Sequence, residues 1–293
     1  MGPANKSPTH MGQIKVRQLM RRQLLSFVPL ILIGLCIGYR LSWADENAAN
    51  DESARRLAAM KKSIESVELT IGKTGTDKLI RVDDPIQRWS NPIVRIVDAT
   101  VFLWTQDGRP AVVSQVADVT GEGLWQEFQS LTTEPLQGIR DGQSYWTPTA
   151  AGINWMHAPT MEPPAATAGL RRIQMRKIAE KYRVSDVFEF KKPYQLRLLP
   201  TPLYRYATPK AGVLDGALFS YALGTDPEVL LLIESQKVDD ADTWMVAFAR
   251  LTGFACRATL DENEVWSCKV LPFPYPTDAT FFSVQVAQPN RGK

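Results

Sequence analysis

Histidine is almost missing from this chain: among 293 residues there are only His10 and His157. A site with two histidine ligands therefore cannot form within the main body, and a serine or cysteine triad would depend on His157 alone. Its neighbourhood, NWMHAPTMEPP, contains no nucleophile elbow, so it reads as a loop histidine making ordinary hydrogen bonds. Phosphate-binding glycine loops are lacking too. Gly72-Lys73-Thr74-Gly75 has the look of the end of such a loop without its leading glycine or a parallel strand before it. Asp239, Asp240 and Asp242 cluster without the spacing of a calcium loop, and they read as a charged hairpin turn. No metal and no cofactor is expected. Net positive charge is lacking outside the first 44 residues. Those hold Lys6, Lys15, Arg17, Arg21, Arg22 and Arg40 and no carboxylate, so of the formal +3 the other 249 residues carry −3. A mildly acidic body has no footprint for a phosphate backbone, and nucleic acid is excluded as a partner.

What is present begins with that basic leader. Residues 1–23 are followed by LLSFVPLILIGLCIGY, sixteen uncharged residues from Leu24 to Tyr39, and then by Asp45, Glu46, Asp51 and Glu52. Positive charge before an apolar run holds the N-terminus in the cytoplasm and sends the rest across. Residues 24–43 fit a transmembrane anchor, slightly short for the roughly 20 residues a span needs. They fit a cleaved signal peptide equally, since Ser42 and Ala44 are small residues where a signal peptidase reads. The expected location is a single-pass membrane protein with a cytoplasmic N-terminus, or a secreted or periplasmic one if cut after Ala44.

Beyond the leader, residues 45–68 are rich in Ala and charge, with Leu57, Met60, Ile64 and Val67 three or four apart, which predicts a helical stalk. Residues 69–92 are punctuated by glycine and proline and predict a linker. From 93 to 293 strand patterns dominate. IVRIVDATVFLWTQ and PAVVSQVADV flank Asp107-Gly108, a hairpin signal. A single clear helix lies near 168–183, with Leu170, Ile173, Met175, Ile178 and Tyr182 as its apolar stripe and Arg171, Arg172 and Lys177 directed to solvent. No internal repeat stands out. The fold class expected is α+β: a membrane segment, then a mainly antiparallel sheet with one packed helix.

The phrases NPIVRIVDATVFLWTQDGRP, EFQSL, RRIQMRKIA, LRLLPTPLYRY and DGALFSYALGTDPEVLLLIE, closing with Trp244 and Ala249-Arg250, together resemble an uncharacterised family of exported proteins common in planctomycete genomes. The resemblance covers residues 91–266. It implies export and one structural unit, and it carries over no activity and no catalytic residue.

Candidate binding residues come from the aromatics. Trp146 and Trp155 lie in a Pro-rich stretch. Tyr204 and Tyr206 share one face of a strand, with Arg205 on the other. Two functions follow: a binding or structural role at the cell envelope, facing an envelope protein or glycan, or a carboxylate-dependent hydrolase, for which Glu127, Asp141 and Glu162 lie near tryptophans. Cys256 and Cys268 form the remaining pair. A hairpin centred on Glu262 places them opposite each other, close enough for a disulfide.

Overall fold

The computed structural model describes residues 43–72, 75–92, 95–187 and 193–286. The leader and residues 24–42 lie outside the described residues, and no described helix is long and apolar enough to cross a membrane.

Two long hairpin systems dominate. In the first, β5 (Ile96–Gln106), β6 (Arg109–Val119) and β7 (Gly123–Ser130) run antiparallel. In the second, β15 (Val213–Leu223), β16 (Asp226–Val238) and β17 (Ala241–Arg250) do the same. Each system forms the centre of a larger sheet and is buried on both faces. Burial on both faces accounts for the near-continuous apolar runs of the sequence, which lack the alternation of a half-exposed strand.

The inner faces of the two sheets meet. Ala99, Val101, Leu103 and Val113 from the first pack against Leu218, Leu230, Leu232 and Ala247 from the second. Each outer face is covered by a helix and a small sheet. On the first, α1 (Trp43–Ser63) contributes Met60, and Ile64 follows directly after the helix; both pack with Phe102, Val112 and Phe128. Beside it lie β1 (Val67–Ile71), β2 (Asp77–Lys78), β8 (Leu136–Arg140) and β9 (Gln143–Trp146), in the order β2-β1-β8-β9. On the second, α2 (Ala168–Glu180) contributes Met175 and Ile178. It lies beside β11 (Tyr182–Asp186), β12 (Tyr194–Gln195), β18 (Cys256–Leu260) and β19 (Asn263–Cys268), in the order β12-β11-β18-β19.

The two halves therefore have the same element order, and the match reaches single residues. β4 (Gln87–Asn91) and β14 (Tyr204–Thr208) flank β5 and β15 in the same register, so that Arg88 faces Thr100 as Arg205 faces Ala217. Trp146 stands opposite Gly138 across a bulge in the first half. Trp266 stands opposite Ala258, across the same bulge, in the second. Among the described residues the two halves repeat one α+β arrangement and share a single inner core. Residues 45–92, expected as stalk and linker, supply the helix and first strands of the first half. The expected helix is present, and it packs on the first sheet through Met60 and the adjoining Ile64.

Each half ends by lending a strand to the other. β10 (Met156–His157) follows the first half yet pairs with β17, while β20 (Phe281–Gln285) follows the second half yet pairs with β7. Both exchanged strands cover a sheet edge that would otherwise present unpaired backbone groups.

Candidate functional site at the seam between the halves

The two halves share a buried ionic cluster outside the seam. Asp98 accepts from Nε of Arg88 at 2.9 Å and, more weakly, from Nε of Arg56 on α1 at 3.4 Å. In the second half Asp215 accepts from Nε of Arg205 at 2.9 Å and from Nε of Arg171 on α2 at 2.8 Å. The strand arginine also reaches a helix carbonyl in each half: Arg88 to Ser53 and Arg205 to Ala168. Both carboxylates are buried. Their full pairing makes them clamps between helix and sheet, since a buried carboxylate without partners would cost several kcal/mol.

Arg171 was expected in solvent and is buried; Leu170 and Ile173 were expected in the core and are exposed by 54% and 49%. Arg171, Met175 and Ile178 fall at spacings of four and three, which is the helical face turned to the sheet, while Tyr182 of the expected stripe lies beyond the helix at the start of β11. Arg172 and Lys177 are exposed as expected.

The seam itself is asymmetric. Arg109, just past the turn of the first hairpin, crosses to Glu234 on the inner face of β16, with Nε–Oε1 at 2.8 Å and Nη2–Oε2 at 2.7 Å. Glu234 is fully buried and also accepts from the Tyr206 hydroxyl at 2.6 Å and the Gln236 amide at 2.6 Å. The Arg109 guanidinium lies 5.3 Å from the ring centroid of Trp155, and Tyr206 stacks on Tyr204 at 5.9 Å. Burial, followed by the adjacent Glu234 charge, pushes the Tyr206 phenol well above its usual range, so it is a donor at any physiological pH. Its ring crosses Gly216, where an added Cβ would lie 2.7 Å from it; only glycine fits there.

At the corresponding place in the other direction, Asp226 of the second hairpin reaches the buried Gln115 amide at 3.2 Å, and Glu127 meets the same nitrogen at 3.3 Å. Thr225 donates to the Ser90 carbonyl at 2.7 Å nearby.

Of the sequence candidates, Trp155, Tyr204 and Tyr206 are brought together around Arg109 and Glu234. Trp146 is apart, fully buried in the first half with its indole N–H on the Ala279 carbonyl at 2.8 Å, which leaves no ring face for a ligand. His157 is exposed on β10, Asp141 takes positive φ in an exposed turn, and Glu162 is exposed. Arg109, Glu234 and Gln115 were not foreseen. A Glu embedded in the apolar run VLLLIES was the available signal, because an isolated carboxylate in a buried strand requires a partner.

Cys256 and Cys268 stand directly opposite each other, as the hairpin reading expects, and both carry free thiols. The turn residues Asp261 and Glu262, both with positive φ, set one register near the turn, and a bulge between Ala258 and Thr259 shifts it by one so that the cysteines face. Among the described residues no group of three or more His, Cys, Asp or Glu is placed to hold a metal. No protein-family model, curated protein or solved structure matches the chain.

Proposed function

We propose that this chain is an exported or membrane-anchored protein whose duplicated body serves a binding or structural role at the cell envelope. The observation that carries the reading is the charge asymmetry of residues 1–44 around one apolar run. The described body supports it in a different way. Its buried carboxylates Asp98, Asp215 and Glu234 are engaged by arginine, which ties the layers of the body together and leaves those groups committed to structure. The half-buried aromatics Trp155 and Tyr204, beside Arg109, form the surface best suited to a partner, because aromatic and Arg side chains dominate binding hot spots. Proteolysis of spheroplasts tests the location: the body should be digested while the outer bilayer face is accessible, and full protection would sink it.

The competing reading, a carboxylate-dependent hydrolase, is favoured by the meeting of Glu127 and Asp226 at Gln115. An inverting glycosidase keeps the space between its carboxyls for a water. Here the Gln115 amide fills it. Release of reducing ends from envelope glycan by the wild type and not by Glu127→Gln would establish the hydrolase instead.

A further inference from the structure

The halves differ most tellingly at the base of the second outer sheet. Where the second half has Cys256 and Cys268, the matching positions of the first are Leu136 and Pro148, joined by a backbone hydrogen bond of 2.9 Å. Packing there needs apolar volume and no thiol. The same holds for Arg250, whose counterpart is Ser130: in the second half alone, a buried guanidinium stands beside the sulfur pair.

The two sulfurs are not equivalent. Cys256 is 2% exposed and Cys268 is partly exposed. Both approach the Phe254 carbonyl, at 3.7 and 3.9 Å. Arg250 donates through Nη2 to the Lys269 carbonyl, and its Nη1 has no hydrogen-bond partner. Two acidic groups face the pair: Glu228 from β16, whose charge acts on Cys256, and the buried Asp186 of β11, which stands directly opposite Cys256. The hydrogen bond from the Cys256 thiol, with help from Arg250, lowers Cys268 to about 7, while that same bond, burial and Glu228 push Cys256 up.

We propose that Cys256 and Cys268 are an oxidisable dithiol that receives a disulfide from a disulfide-bearing oxidant, with Cys268 as the attacking thiol and Cys256 as the resolving one. The Cys268 thiolate attacks one sulfur of the donor disulfide, whose S–S bond breaks and whose other sulfur leaves as a thiolate and takes up a proton. Cys256 then gives up its proton and attacks the Cys268 sulfur, releasing the second donor thiol. Two protein thiols are oxidised and one donor disulfide is reduced to two thiols. The chemistry belongs to the folded chain and does not rest on its location. Its structural effect is local to the strap that carries β20 across. That strap, residues 269–280, leaves directly from Cys268, is held at its start by Arg250 and Gly253, and ends against Thr147 and Trp146 of the first half.

The test uses the full chain in detergent with Cys36→Ala, reduced, freed of reductant and treated with oxidised glutathione, the adducts being mapped by peptide mass. The expected result is an internal bridge marked by loss of two hydrogens. Cys256→Ser should stop at one glutathione on Cys268, and Cys268→Ser should react at Cys256 roughly tenfold slower or less. In Cys256→Ser, whose hydroxyl can still donate to Cys268, alkylation of Cys268 should rise with pH to a plateau reached earlier than for an ordinary thiol, and Arg250→Gln should move that profile upward. Two separate adducts with no bridge, equal rates at the two thiols, or reaction only in denaturant would each overturn the proposal.

Discussion

At the scale of single residues, Glu234 is the most constrained group in the seam. Four atoms donate to a carboxylate with no exposure, and two of them come from an arginine of the other half. Arg109→Ala is expected to cost about 3–5 kcal/mol, because it strands the buried charge. The paired change Arg109→Met with Glu234→Leu should recover part of that loss, which denaturant titration of both variants will check. The buried tyrosines set an alkaline limit. Burial raises Tyr145 to about 12 from a usual 10.0, and it raises Tyr182, Tyr206 and Tyr221 as well. A phenol raised on folding contributes stability that is complete below the unfolded value and lost as pH climbs through the folded one. Stability should therefore hold to about pH 10 and fall steeply above it, with tyrosinate absorbance appearing together with loss of fold rather than before it.

Among the elements, the two helices show how a charge can outrank an apolar pattern. Leu170 and Ile173 look like core positions in the sequence, yet Asp215 at the root of β15 claims Arg171, and the helix turns that face inward. Met175→Ala should thus cost about 2–5 kcal/mol, whereas Ile173→Asp should move the melting transition little, as surface changes do. Asp98→Ala and Asp215→Ala should both destabilise, the second more, because Arg171 sits closer to its carboxylate than Arg56 does. The strands were easier to read. β5, β6 and β7 follow the apolar runs and the Asp107-Gly108 turn, and both turn residues take the positive φ that such a hairpin requires. Short strands such as β10 and β20 carry no pattern of their own, since they are chosen by the edges they cover.

For the whole molecule, reciprocal exchange of β10 and β20 ties the halves more firmly than a simple interface would. A chain cut within residues 159–166 should elute as one species, held by the inner core and both exchanged strands; separation of the fragments in native buffer would contradict the exchange. Removing residues 281–293 should bare the edge of β7 and promote association between copies. The duplication itself was beyond the reach of sequence reading. Asp98, Phe102 and Pro110 recur as Asp215, Phe219 and Pro227, and Arg56 and Met60 as Arg171 and Met175, but the residues between them differ. Buried strands accept many apolar residues of similar volume, so the fold is retained while identity fades. The sequence by itself determined the charge asymmetry of residues 1–44, the strand-rich α+β character of the body and the facing cysteines, because each depends on neighbours in the chain. Only the tertiary structure decided the pairing of halves, the partners of Glu234 and the burial of Arg171, because each depends on a group contributed from a distant part of the chain.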